Sequence, residues 1–135
     1  MGNGNYIICQ KCEYEREFLL GSGMMWGNIE NIIGFMDKRS KEEASKILQE
    51  NPDPDYKTDG NCVYQCQKCF SLREKIHLLI YDKDGKIVYR TQSTCIKCKG
   101  KRKRLKENSN GILDQIICPK CKSNEVNVSE GLCWD

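Results

Sequence analysis

The sequence has little of what an enzyme active site or a membrane protein needs. It contains one histidine, His77, which we expect to be structural, and three prolines in 135 residues. It has no G-x-S-x-G, phosphate-loop or H-E-x-x-H motif. No apolar run approaches the roughly 18 residues of a membrane span. The start, MGNGNYIICQ, lacks the basic and apolar regions of a signal peptide, and Tyr6 stands where myristoylation needs Ser or Thr. We therefore expect a non-enzyme in the reducing cytoplasm, with no membrane partner.

Cysteine is abundant instead, with ten residues. Eight form four C-x-x-C pairs, and two are left over as buried thiols or, for Cys62, a spare ligand. The pairs are Cys9/Cys12, Cys66/Cys69, Cys95/Cys98 and Cys118/Cys121, and the leftover residues are Cys62 and Cys133. A disulfide within one C-x-x-C pair would close a very short loop, which suits a structural disulfide poorly. Two thiolates on one turn, in contrast, chelate a tetrahedral metal well. The sequence predicts two zinc ions with four cysteine ligands each. A rubredoxin-like iron centre and redox dithiols are the alternatives.

The spacing leaves open which pairs share a metal ion. A hairpin turning at Asp84-Gly85 would bring Cys66/Cys69 beside Cys95/Cys98, and the first and last pairs would then form the second site. A hairpin turning at 108–111 would instead bring Cys95/Cys98 beside Cys118/Cys121. We favour the first arrangement, because Asp-Gly is the stronger turn signal.

Length and periodicity predict one small metal-stapled α+β domain over residues 1–135, with zinc-ribbon β-hairpins and a short two-helix insert. The insert covers about 28–50: Asn28 caps a first helix, and Ser40 with Glu43 forms a capping box for a second. A polar linker follows at about 51–61. The strands are expected within 6–21, 71–82 and 86–94, in a second hairpin of 99–107 with 112–117, and within the closing segment EVNVSEGLCWD (125–135).

The stretch CIKCKGKRKRLK (95–106) joins one cysteine pair to a run of positive charge. Its candidate nucleic-acid-binding residues are Lys99, Lys101, Arg102, Lys103, Arg104 and Lys106, and base stacking could come from Phe70, Tyr81 or Tyr89. The alternative is that the run only balances the negative charge of a cysteine-bound metal. Eight thiolates add eight negative charges to the formal +3 and two zinc ions return four positive ones, so the loaded protein carries about −1.

The segment CQKCEYEREFLLGSGMMW (9–26) resembles small uncharacterised bacterial zinc-ribbon proteins, which open C-x-x-C-x-Y-E and continue F-x-L-G-x-G-M-M. The end, Leu132-Cys133-Trp134-Asp135, matches their close, and the likeness spans most of the chain. It implies a zinc-ribbon fold and a bacterial or phage origin, and it supplies no activity. Zinc-ribbon knuckles often place Gly after the second Cys, where this chain has Glu13, Phe70, Lys99 and Lys122.

Two functions follow as hypotheses. The first is a nucleic-acid-binding or regulatory module that uses the basic run. The second is a protein-interaction adaptor or inhibitor that uses Met24-Met25-Trp26 and the helical insert, because Met and Trp are typical interface anchors.

Overall fold

The computed structural model describes residues 2–22, 27–109 and 111–131. The Met24-Met25-Trp26 loop and the Leu132-to-Asp135 end lie outside these residues. The elements in chain order are β1 (Gly2–Cys9), β2 (Glu15–Gly21), α1 (Ile29–Gly34), α2 (Lys38–Glu50), β3 (Asp55–Cys66), β4 (Leu72–Tyr81), β5 (Ile87–Arg90), β6 (Arg102–Arg104) and β7 (Val126–Glu130).

All strands belong to one antiparallel sheet in the order β5-β4-β3-β2-β1-β7, with β6 paired to β3. The neighbours of β3 change along its length. It pairs with β2 only at Asn61, opposite Gly21, and its end, Tyr64–Cys66, pairs with β6. Gly60 permits the close approach of β3 to β2, because a Cβ at position 60 would overlap the backbone of Gly21.

Two hydrophobic clusters stabilise the domain. One lies between the helices and β4–β5 and consists of Ile29, Ile32, Ile33, Met36, Ala44, Ile76, Leu78, Ile80 and Tyr89. The other joins β1–β4 to the segment after β6 and consists of Ile7, Phe18, Leu20, Val63, Leu72, Leu105, Leu113 and Ile116. The predicted small α+β domain is present. Its single extended sheet, however, is larger than the separate hairpins expected of a zinc ribbon.

The helical insert forms as predicted, with one difference at its second helix. Asn28 caps α1 by accepting a hydrogen bond from the backbone N–H of Asn31. Helix α2 begins at Lys38 rather than after Ser40, because Asp37 is the N-cap and accepts from the Ser40 N–H. The helix ends at Glu50 with Asn51 as its C-cap, because the residue before a proline avoids the helical conformation.

The predicted linker at 51–61 is wrong beyond residue 54. Strand β3 begins at Asp55 and pairs with β4 from Asp55 opposite Tyr81 onward. The first part of this strand alternates between exposed and half-buried positions. Its residues are therefore mostly polar, and the sequence pattern indicated a linker instead of a strand. The first part of β3 is therefore a strand because it pairs with β4, and not because its own residues are apolar.

The hairpin around Asp84-Gly85 forms as β4 and β5, but the second predicted hairpin forms only next to its turn. Segment 99–107 gives β6, which pairs with β3 instead of 112–117. Near the turn, a bridge joins Glu107 to Leu113, and the N–H groups of Asn108 and Asp114 donate to the carbonyls of Ile112 and Lys106. The closing strand forms as β7 and pairs with β1. No helix in the described ranges is long and apolar enough to cross a membrane.

Candidate metal centres

The eight paired cysteines gather into two groups of four. The first centre contains Cys9, Cys12, Cys118 and Cys121, and the second centre contains Cys66, Cys69, Cys95 and Cys98. This is the first of the two arrangements considered from the sequence. The first centre joins the end of β1 to the turn before β7, and the second joins the β3–β4 turn to the turn that follows β5.

The sulfur positions fit a tetrahedral metal ion. Within each centre all ligand atoms lie within 4.8 Å of one another. Between the two C-x-x-C turns, Sγ–Sγ distances are 3.4 and 3.5 Å in the first centre and 3.4 and 3.7 Å in the second. Metal–sulfur bonds of about 2.3 Å place tetrahedral sulfurs about 3.8 Å apart, whereas a disulfide needs about 2.0 Å. None of the nine described cysteines is in a disulfide. Both groups could therefore hold a metal ion.

All four C-x-x-C turns have the same backbone hydrogen bonds. The N–H of the first cysteine donates to the carbonyl five residues later, as in Cys66 to Ser71 at 3.0 Å. The N–H of the residue after the second cysteine donates back to the first cysteine carbonyl, as in Phe70 to Cys66 at 3.0 Å. The corresponding donors in the other turns are Glu13, Lys99 and Lys122, at 2.9–3.2 Å.

These four residues occupy the position where zinc-ribbon knuckles often carry glycine. Glu13, Phe70, Lys99 and Lys122 all have φ of 62–63°. A left-handed conformation costs a non-glycine residue about 1–2 kcal/mol. The knuckle geometry therefore forms despite the missing glycines, and such strain is typical of functional sites.

Backbone N–H groups also point at the sulfurs. Lys68 and Cys69 donate to the Cys66 Sγ at 3.4 Å, and Gly100 donates to the Cys98 Sγ at 3.4 Å. Gly100 packs so closely that a Cβ there would lie 3.0 Å from the Cys66 Sγ. These N–H dipoles favour the thiolate form of the ligands.

Within each centre, one thiol ionises readily and another resists ionisation. Burial raises the pKa of Cys9, but the N–H groups of Cys12 and Lys11 outweigh it and bring the pKa to about 6. For Cys12, the Tyr14 N–H lowers the pKa, whereas burial and the Cys118 sulfur raise it to about 12.

The second centre repeats this division. The Cys98 N–H and the Ser71 hydroxyl lower the pKa of Cys95 to about 5. The Gly100 N–H lowers the pKa of Cys98, but the neighbouring Cys66 sulfur and burial raise it to about 11. A divalent cation among the four sulfurs would stabilise all of them as thiolates.

Two buried side-chain amides, which the sequence analysis missed, hold the segment between the centres. Gln65 is 2% exposed; its Nε2 donates to the carbonyls of Phe70 and Ile117, and its Oε1 accepts from the Ile117 N–H. Asn5 likewise donates to the Gly111 carbonyl and accepts from the Leu113 N–H. These bonds supplement the short pairing that the second hairpin makes next to its turn.

Lys122 connects the two centres. Its Nζ donates to the carbonyls of Pro119, in the first centre, and Cys69, in the second, at 2.6 and 3.1 Å. The same ammonium lies 5.7 Å from the centre of the Phe70 ring. The two centres therefore lie next to each other in the domain.

The other described candidates for metal binding lie outside both groups. The Cys62 Sγ lies 3.6 Å from the Gly60 carbonyl, and burial raises the pKa of this thiol to about 11. The His77 Nδ1 lies 3.5 Å from Asp59, and burial together with Arg104 lowers the pKa of the imidazole. Cys62 is thus a buried thiol rather than a spare ligand. Cys133 lies outside the described residues.

The six basic residues proposed to bind nucleic acid differ in their burial and pairing. Arg102 is buried, and Arg104 donates to Asp59. Of the three suggested stacking residues, Tyr89 is buried in the helical cluster. The exposed members of the run are Lys99, Lys101, Lys103 and Lys106.

Comparisons with protein families, curated proteins and solved structures found no match for this chain. The resemblance to bacterial zinc-ribbon proteins therefore stays a prediction.

Proposed function

We propose that this is a non-catalytic cytoplasmic protein whose two structural zinc ions hold a lysine-lined nucleic-acid-binding surface. The structural role is supported by the ligand sets, because four cysteine sulfurs fill a tetrahedral coordination sphere and leave no position for substrate. Zinc is favoured over iron as the ordinary occupant of a closed four-cysteine site.

The observation that carries nucleic-acid binding is the distribution of lysines around the centres. All four turns read C-x-K-C, so each centre has two lysines of its own: Lys11 with Lys120, and Lys68 with Lys97. These four are exposed. A zinc ion with four thiolates carries a formal charge of −2, which two lysines match. The later lysines, at 99, 101, 103 and 106, are therefore in excess of this balance.

Two of these excess lysines line a cleft with a volume of about 940 Å³. Residues 103–106 contribute Lys103 and Lys106, and residues 124–128 contribute Asn124 and Asn127. Cations that contact phosphates and amides that contact base edges are the groups a nucleic-acid surface uses. None of the suggested stacking aromatics lines this cleft. We therefore propose binding dominated by phosphate contacts, with little sequence preference.

Replacing Lys101, Lys103 and Lys106 with glutamine tests the proposal. The slope of log K against log salt is negative, and each lost phosphate contact on a single strand makes it shallower by about 0.7, so the triple variant should reduce the magnitude of the slope by about 2. The measurement is fluorescence anisotropy with a labelled single-stranded oligonucleotide at several salt concentrations.

The control carries Lys38→Gln, Lys41→Gln and Lys46→Gln on α2. These lysines are also exposed, so the net charge changes equally. Its salt slope should match that of the unmodified protein. Equal slopes for both triple variants, or no binding by the unmodified protein, would reject nucleic acid as the partner.

A protein partner is the second candidate, favoured by two exposed apolar side chains. Phe35, at the end of α1, is 52% exposed, and Ile96, in the third C-x-x-C turn, is 65% exposed. Both would suit an adaptor or inhibitor that uses the helical insert. Loss of partner capture in a Phe35→Ser variant with unchanged nucleic-acid binding would support this candidate.

A further inference from the structure

A small pocket lies between α2, β4, β6 and the turn of the second centre, with a volume of about 220 Å³. We call it the Arg102 pocket. The residues that matter for its chemistry are Ser40, Arg73, Lys75, Thr94, Lys99 and Arg102.

The pocket has more cations than it can pair. Five cationic and two acidic side chains line it. Arg39 pairs with Glu43 at 3.3 Å, and Lys75 lies 3.9 Å from Asp37. Arg73, Lys99 and Arg102 make no ion pair with any described residue. Cys95 of the second centre also lines the pocket, but Lys68 and Lys97 already match the charge of that centre, so these three cations are in excess.

Arg102 is the strongest indication of a ligand. It is 5% exposed, and its Nε is buried without a hydrogen-bond partner among the described residues. Leaving a buried charged donor without a hydrogen-bond partner costs more free energy than leaving a neutral donor in that state. The backbone fixes its position, because Arg102 pairs with Cys66 across the sheet and donates its N–H to Ser93 at 2.7 Å.

Lys75 adds a second buried cation to the same pocket. Its side chain is 8% exposed. Burial lowers the pKa of this ammonium; Asp37 opposes the shift, and Arg102 and Arg73 add to it. The three cations thus repel one another, and an anion among them would relieve that repulsion.

We propose that the Arg102 pocket binds a tetrahedral oxyanion of the phosphate class. Arginine pairs with phosphate through parallel N–H···O bonds, while lysine contributes a point charge. Ser40 and Thr94 supply hydroxyl groups on the wall. The volume lies below the roughly 300–1,000 Å³ of pockets for drug-sized ligands, so one ionic group fits better than a whole nucleotide. This inference is independent of nucleic-acid binding.

The test uses the zinc-loaded full chain and sodium phosphate, with sodium chloride at matched ionic strength as the reference. Phosphate should raise the thermal midpoint saturably and shift the Arg102 Nε–H signal in a nitrogen-edited NMR spectrum. Replacement of Arg102 with leucine should weaken phosphate binding about tenfold or more. Since Arg102 is buried, Arg73→Gln is measured as a second variant and should weaken binding in the same direction.

Lys86→Gln is the matched control. It removes one positive charge at an exposed residue of the β4–β5 turn, at the other end of β4 from Arg73, and this residue does not line the pocket. Its phosphate affinity should stay within about twofold of the unmodified protein, since distant exposed charges are screened. Equal midpoint shifts in phosphate and chloride, or equal losses in the Arg102 and Lys86 variants, would overturn the assignment.

A final comparison identifies the source of the oxyanion. If a 5′-phosphorylated oligonucleotide shifts the Arg102 signal at lower concentration than its 5′-hydroxyl counterpart, the ligand is a nucleic-acid end. If inorganic phosphate shifts the signal and both oligonucleotides do not, the ligand is the free ion. A signal that no phosphate probe moves contradicts the proposal.

Discussion

Replacing Cys66 with alanine is expected to remove one metal ion and most of the folding free energy. A structural zinc ion contributes roughly 10–16 kcal/mol of apparent binding energy, which equals or exceeds the roughly 5–15 kcal/mol that stabilises a typical domain. Cys66 is fully buried in the second centre and accepts two N–H bonds. Native mass spectrometry should show a single ion, and circular dichroism should show loss of the cooperative unfolding transition.

Cys62→Ala is the matched control, because Cys62 lies on the same strand and is also buried. It stands in neither centre. This variant should retain two ions and lose about 1 kcal/mol, the typical cost of a point substitution. If the Cys66 and Cys62 variants bind the same number of ions, Cys66 is not a ligand.

Replacing Gln65 with leucine is expected to destabilise the protein by about 2–4 kcal/mol. Leucine has a similar volume but leaves the carbonyls of Phe70 and Ile117 and the Ile117 N–H without their partner. Each lost buried hydrogen bond costs about 1 kcal/mol, and more where the remaining group cannot reach water. Urea unfolding of the zinc-loaded protein measures the change.

Gln67→Leu provides the comparison two residues away. Gln67 is exposed, and its side chain donates one bond, at 3.2 Å to the Gln65 carbonyl. Its substitution should change the free energy of unfolding by less than about 0.5 kcal/mol, as is usual for surface positions. Similar losses in the two variants would mean that the Gln65 amide does not hold the segment between the centres.

The features predicted from the sequence are those set by short-range chemistry. C-x-x-C spacing groups the cysteines in pairs, and Asp84-Gly85 fixes the β4–β5 turn that brings two pairs together. Asn28 and the isoleucine spacing fix α1. In each of these cases the residues that decide the structure lie within a few positions of one another.

The errors arise where distant parts of the chain compete. The basic run pairs with β3, and Asn5 and Gln65 instead hydrogen-bond the backbone of 111–117, which contacts the end of the run only near the turn. No local sequence pattern indicates that the side chains of Asn5 and Gln65 will hydrogen-bond the backbone of a distant segment. The lysine in each C-x-K-C turn, by contrast, was visible in the sequence and was missed.

The burial of Arg102 also could not be predicted from composition. Within KRKR every residue has the same charge, and only the alternation of β6 decides that Arg102 turns inward while Lys103 faces out. A charge count therefore overstated the exposed basic surface. The same alternation created the Arg102 pocket.

The most direct test of the two-centre account is native mass spectrometry with elemental analysis of the purified, untagged chain. We expect two zinc ions per chain, and cooperative unfolding when a strong chelator removes them. Stoichiometric iron would contradict the choice of zinc. A chain that stays folded without any bound metal would contradict the two centres themselves.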